Sequence, residues 1–115
     1  MNEATQDTVG QSIAFMNQQI SQTLKVEDLA GERSLSVSRY SEIFKKKTGF
    51  SAIHYFNKLK IEKSCQYLYF TDMTVKEVSQ LFGFDDPYYF TRLFKKVMGI
   101  PPSQYRYLYK NKNFE

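Results

Sequence analysis

Cysteine and histidine occur once each in these 115 residues, at Cys65 and His54. A single cysteine excludes an internal disulfide framework and a cysteine-based metal cluster, and it suits a reducing compartment. Cys65 is expected to pack as a small apolar side chain. His54 has no cysteine, aspartate or glutamate arranged around it, so a structural or surface histidine is expected rather than a metal ligand. No long uncharged apolar run is present, which excludes a membrane-spanning helix, and there is no basic-then-apolar leader of the secretory kind. A glycine loop to cradle phosphate, a nucleophile beside a base and a metal set are all missing, so neither an enzyme nor a cofactor is expected.

Apolar residues are plentiful by contrast. Hydrophobic residues at 42% and aromatics at 17% are ample for a packed interior, so wholesale disorder is excluded. The length fits one small domain, or two very small ones sharing a core. The net charge of +4 is unevenly spread: residues 1–36 carry five acids against two bases, and residues 37–112 carry fourteen bases against six acids. A basic body behind a mildly acidic leader can attract a polyanion.

One pattern occurs twice. Val26-Glu27-Asp28-Leu29-Ala30 leads through Ser34-Leu35-Ser36 into Arg39-Tyr40-Ser41-Glu42-Ile43-Phe44-Lys45-Lys46 and then Gly49. Val75-Lys76-Glu77-Val78-Ser79 leads through Gly83-Phe84-Asp85-Asp86 into Tyr89-Phe90-Thr91-Arg92-Leu93-Phe94-Lys95-Lys96 and then Gly99. Each copy predicts a short helix, a tight turn and a second helix ending in lysines, which is a helix-turn-helix unit.

Helical spacing of Val9, Ile13, Met16 and Ile20 predicts a first helix from about Thr8 to Gln22, behind a frayed leader over 1–7. A short helix over Lys25–Arg33 follows, then one from Val37 to Lys47, with Ser36 as N-cap and Gly49 as terminator. Residues 51–70 contain neither glycine nor proline and predict one unbroken helix, about 27–30 Å long at 1.5 Å per residue. Thr74 caps a short helix over Val75–Phe82, and Gly83 supplies a left-handed turn. Asp86-Pro87 starts a helix to about Val97, and a last one covers Ser103–Lys110. The predicted fold is all-α with about seven helices. Its expected organisation is a leader (1–7), a first helix-turn-helix subdomain (8–50), a linker helix (51–70), a second subdomain (71–110) and a tail (111–115).

Within the second helix of each copy, Tyr40, Ile43, Phe44 and Lys47, and likewise Phe90, Leu93, Phe94 and Val97, fall on one stripe and are expected to face the core. The outward face then carries Val37, Ser38, Arg39, Ser41, Glu42 and Lys45 in the first copy. In the second it carries Pro87, Tyr88, Tyr89, Thr91, Arg92 and Lys95, with Lys96 at the edge. Hydroxyls and arginine on the first two turns can reach base edges, and lysines on the third can reach phosphates. Each copy also holds a small residue, Ala30 or Ser79, where its two helices cross.

The stretch from Val75 to Arg106 resembles the C-terminal signature of the AraC family of bacterial transcription regulators, through Gly83-Phe84, Tyr89-Phe90, Arg92, Phe94-Lys95-Lys96, Gly99, Pro102 and Tyr105-Arg106. The first copy resembles the family's looser helix-turn-helix, and Lys60-Ile61-Glu62-Lys63 resembles the basic segment of its linker helix. The resemblance covers roughly Ile13 to Tyr109. It implies a bipartite domain on double-stranded promoter DNA, with the helices over about 37–47 and 87–97 in successive major grooves. Those grooves recur every ~34 Å. Carried over, the base-reading positions are Ser38, Ser41 and Glu42, and Pro87, Tyr88, Thr91 and Arg92, with Arg39 and Tyr89 less firmly placed. Phosphate contacts fall to Lys45, Lys46, Lys95 and Lys96 and to the helix starts at Ser36 and Asp86.

Glu42 stands where this family often has arginine. A carboxylate there can accept from a cytosine amino group, or be held by Arg39 or Lys46 at helical spacing. Because it repels phosphate, the second unit is expected to contribute more of the affinity. The resemblance also implies a cytoplasmic, nucleoid-associated protein, contacts with RNA polymerase, a monomeric isolated domain and a full-length regulator that can be dimeric. Most members carry a further effector or dimerisation domain, so the chain is expected to be either a small stand-alone regulator or part of a larger one. The competing reading is a helical protein-interaction module that docks on RNA polymerase or a partner regulator.

Overall fold

Residues 2–112 are described by a computed structural model, and within them seven helices and no strand form: α1 (Asn2–Gln18), α2 (Val26–Glu32), α3 (Val37–Thr48), α4 (Ala52–Phe70), α5 (Val75–Leu81), α6 (Pro87–Met98) and α7 (Pro102–Lys112). The all-α expectation holds, and six of the helices lie within two residues of their expected limits. The exception is α1, which begins six residues ahead of Thr8 and ends four short of Gln22. Residues 2–7, expected to fray, belong to that helix. The Asp7 carboxylate accepts from the Gln11 side-chain amide one turn on, at 2.6 Å. After Gln18 the chain turns instead, with the Gln22 N–H on the Gln19 carbonyl at 2.9 Å. Of the expected tail, residues 113–115 lie outside the described residues.

The helix limits follow from side-chain chemistry. The hydroxyl of Ser36 accepts the Arg39 N–H (3.2 Å), and the carboxylate of Asp86 accepts the Tyr88 N–H (2.9 Å) ahead of Pro87. Thr74 and Glu77 satisfy each other's backbone N–H, at 3.0 and 2.8 Å, forming a capping box. Gly49 and Gly99 close α3 and α6 in left-handed conformation, each donating to a lysine carbonyl one turn back at 2.7 Å.

The chain divides into two compact units, residues 1–57 and 58–115, and α4 supplies its beginning to the first and its remainder to the second. In the first unit, Val9, Ser12 and Met16 of α1 are buried, as are Leu29 and Ala30 of α2, Tyr40, Ile43 and Phe44 of α3, and Ala52 and Phe56 of α4. The second unit buries Ile61, Ser64 and Leu68 of α4, Val78 and Ser79 of α5, Phe90 and Phe94 of α6, and Pro102. The same spacing recurs: Val9-Ser12-Met16 and Ile61-Ser64-Leu68 each present a large residue, a serine and a large residue at i, i+3 and i+7. Tyr55 meets Phe44 edge-on at 5.4 Å, as Tyr105 meets Phe94 at 5.6 Å. Each unit therefore encloses its helix-turn-helix with one helix before and one after.

Polar side chains tie each unit together internally, at three places in all. The Ser12 and Tyr40 hydroxyls share a 2.5 Å hydrogen bond in the first interior, where burial raises the Tyr40 pKa against the opposing effect of that bond. In the second unit Lys60, part of the basic segment of α4, is buried. Its ammonium donates to the Phe82 carbonyl at the end of α5, and desolvation lowers its pKa to about 8. Arg106 donates to the carbonyls of Leu68 (2.9 Å) and Thr71 (3.3 Å), and Lys110 to Thr71 (2.8 Å) and the Asp72 carboxylate (2.7 Å). These cations satisfy carbonyls at the end of α4 that no helical N–H can reach, and they favour its negative pole.

Candidate nucleic-acid interface

The two short turns that aim α3 and α6 are built alike from different residues. Leu35 N–H donates to the Ala30 carbonyl and Phe84 N–H to the Ser79 carbonyl, both at 3.0 Å. Ser34 N–H donates to Gly31 (2.9 Å) and Gly83 N–H to Gln80 (3.0 Å). Ser34 at φ 57° and Gly83 at φ 80° both occupy the left-handed region, which a serine adopts at a cost that glycine avoids. One extra residue, Asp85, then enters the second turn, so that positions in α6 lie 50 rather than 49 residues after their counterparts. Ala30 and Ser79 are fully covered where each pair of helices crosses.

Burial of Tyr40, Ile43 and Phe44 turns the opposite face of α3 to solvent. Ser36, Val37, Ser38, Arg39, Glu42, Lys45 and Lys46 are exposed, and Ser41 is half-buried. Lys47, expected on the apolar stripe, is exposed as well. Thr48 takes the inner place and donates its hydroxyl to the Phe44 carbonyl at 2.9 Å, since a charged terminus at position 47 gains more from water and the helix pole than from burial. In α6, burial of Phe90 and Phe94 leaves Asp86, Tyr88, Tyr89, Arg92, Lys95 and Lys96 exposed, with Pro87 and Thr91 half-buried. Tyr88 is 76% exposed at the tip of the helix.

Each outward face carries one internal pair, and the pairs occupy equivalent positions. Arg39 Nη1 donates to Glu42 Oε1 at 2.7 Å, both side chains remaining largely exposed. Of the two partners open to Glu42, the structure selects Arg39 over Lys46. In α6 the Arg92 guanidinium lies over the Tyr89 ring, 6.0 Å from its centroid, and that ring leans on Phe84 at 6.1 Å. The lysines of both helices stand in the last turn, where they also complement the negative pole. At the first turns the Ser36 and Asp86 side chains each take up one backbone N–H, and the rest of that turn retains its positive pole. Periodicity located both faces and offered Arg39 and Lys46 as partners of Glu42, but it did not show the stacking of Arg92 on Tyr89, for which the repeated i, i+3 spacing is the available signal.

Among the described residues no group of three potential metal ligands comes together, and no helix is long and apolar enough to cross a membrane.

Comparison with known proteins bears on these faces. A family profile described as a helix-turn-helix domain matches residues 29–107. The MmsAB operon regulatory protein of Pseudomonas aeruginosa is 44% identical over 93 residues, which is 81% of this chain and 30% of that protein. The chain spans about a third of the length of the curated relatives it matches. Among solved structures, the C-terminal domain of AraT, a response regulator from Geobacillus stearothermophilus, superposes with a TM-score of 0.83 at 31% identity, covering 88% of this chain and 84% of that one. The DNA-binding domain of AdpA, a global transcriptional factor solved in complex with a target DNA, gives a TM-score of 0.85 at 22% identity, covering 90% and 94%.

Proposed function

From the premise that this chain belongs to the AraC-type helix-turn-helix family of transcription regulators, we propose that it binds duplex DNA with α3 and α6 in successive major grooves. Sequence-specific DNA binding is the activity of this family's domain, and the chain carries that domain from Leu29 to Tyr107. The observation that carries the groove-level reading is the repetition: two capped helices, each with its apolar side buried, present hydroxyls and a charged pair on the first turns and lysines on the last. Helix starts and lysines are suited to phosphate, and the side chains between them to base edges.

In this reading Ser38, Ser41 and Glu42 face bases from the first unit, and Pro87, Tyr88, Thr91 and Arg92 from the second. Arg39 and Tyr89 stand beside these positions, each paired with the residue three further on, and are the less firmly placed DNA contacts. Lys45, Lys46, Lys95 and Lys96, with the starts at Ser36 and Asp86, engage phosphates. The chain acts by binding rather than catalysis, as a monomer on two unlike half-sites, on nucleoid DNA in the bacterial cytoplasm. The same reading has the regulator contact RNA polymerase, and a full-length regulator that includes this domain dimerise.

Fluorescence anisotropy over a salt series tests this. About four to six phosphate contacts give a log–log slope of roughly −4 to −6. An adaptor for protein partners alone would show no duplex binding near physiological salt.

A further inference from the structure

The equivalent positions 42 and 92 carry opposite charges: α3 presents the Glu42 carboxylate, held by Arg39 at 2.7 Å, where α6 presents the Arg92 guanidinium over Tyr89. A carboxylate is an acceptor only. In the major groove guanine offers acceptors at N7 and O6, thymine one at O4, and adenine an N7 acceptor beside its amino group, whereas cytosine offers only its N4 donor. Glu42 is therefore matched by cytosine and opposed by an acceptor on every other base. Only one guanidinium nitrogen of Arg39 is engaged on Glu42 in this pair, so donors remain that can serve O6 of the guanine opposite that cytosine. The ion pair also moderates the repulsion between Glu42 and neighbouring phosphates.

Resting on the DNA-binding reading above, we propose that the Arg39–Glu42 couple makes the first unit select a C·G pair at one position of its half-site, chiefly by rejecting the other three pairs rather than by adding affinity. Base-pair selection by an opposed acceptor differs from selection by a new attractive bond, because removing the opposing group tightens binding to the wrong sequences.

The test uses the whole chain and a duplex selected from a random library, with each position of the α3 half-site replaced in turn by all four base pairs. Anisotropy at fixed salt should give the unmodified chain one position where C·G is preferred by about 10-fold or more. Glu42→Ala should tighten on the other three pairs relative to C·G, so that discrimination at that position collapses. Glu42→Gln should move the preference toward adenine, whose N6 and N7 a carboxamide can bond together. Arg39→Ala should weaken binding to all four pairs by leaving the carboxylate unshielded. Both Glu42 variants alter an exposed side chain, and matching circular dichroism certifies their fold. Bipartite binding with base preferences unchanged in Glu42→Ala and Glu42→Gln would reduce the couple to a surface ion pair and overturn this inference alone. Absence of duplex binding by the unmodified chain would overturn the DNA-binding reading and this inference with it.

Discussion

Replacing Ser34 by glycine and Gly83 by serine perturbs the same turn from opposite sides. Both residues sit in the left-handed region, at φ 57° and 80°, inside matching hydrogen bonds to Ala30 and Ser79. Holding an L-residue there costs ~1–2 kcal/mol. Glycine escapes that cost but loses ~0.5–1 kcal/mol more conformational freedom on folding than a residue with a side chain. The difference leaves Ser34→Gly stabilising by ~0.5–1 kcal/mol and Gly83→Ser destabilising by a similar amount or somewhat more. Urea denaturation followed by far-ultraviolet dichroism reads both. With a slope of ~1–3 kcal/mol per molar, the midpoint should shift by about 0.2–1 M, upward for the first variant and downward for the second. The combined variant should lie near the sum, because the two turns belong to separate units. Unchanged midpoints for Gly83→Ser would refute the reasoning, since the turn would then relax into a conformation serine tolerates.

Ser12→Ala and Tyr40→Phe each orphan a buried hydroxyl and should cost ~1–2 kcal/mol, whereas the double variant should cost less than their sum; denaturant titration of the four-member cycle checks this. Lys60 is charged below pH 8 in both folded and unfolded chains. Between pH 8 and its ordinary pKa of 10.5 only the unfolded chain keeps the proton, so stability gains with rising pH. The stability advantage of Lys60→Met over the parent should accordingly shrink across that window, by up to ~3 kcal/mol, and a constant difference in pH-dependent unfolding would refute the assignment. Arg92→Ala should cost ~1–3 kcal/mol of binding, while Glu42→Ala should be neutral or tightening on average. Equal losses for the two in anisotropy titrations would overturn the expected dominance of the second unit.

The elements most legible in the sequence were those governed by neighbours along the chain. Ser36 before α3, Thr74 before α5, Asp86-Pro87 before α6 and Gly83 in the second turn are local chemistry, and each stands where expected. Periodicity fixed Tyr40, Phe44, Phe90 and Phe94 as interior, and with them the outward faces. What escaped is long-range. Lys60 is buried because a carbonyl 22 residues away receives its ammonium, and Ser12 because a tyrosine 28 residues away shares its hydroxyl. Arg106 belongs to a recognisable signature, but its task, satisfying carbonyls at Leu68 and Thr71, depends on a helix end 35 to 38 residues earlier. Lys47 shows the opposite limit: its spacing matched the stripe, and its charge decided the outcome. At the interface, the choice between Arg39 and Lys46 as partner of Glu42 is a matter of rotamers, which helical spacing leaves open.

Selection from a random duplex library with the intact chain tests the central claim most directly. Two helices in successive major grooves require a two-part motif with centres about one helical turn, ~34 Å, apart. A one-part motif would contradict bipartite recognition and leave the Glu42 unit as a phosphate clamp, and no enrichment at all would contradict DNA recognition by this chain.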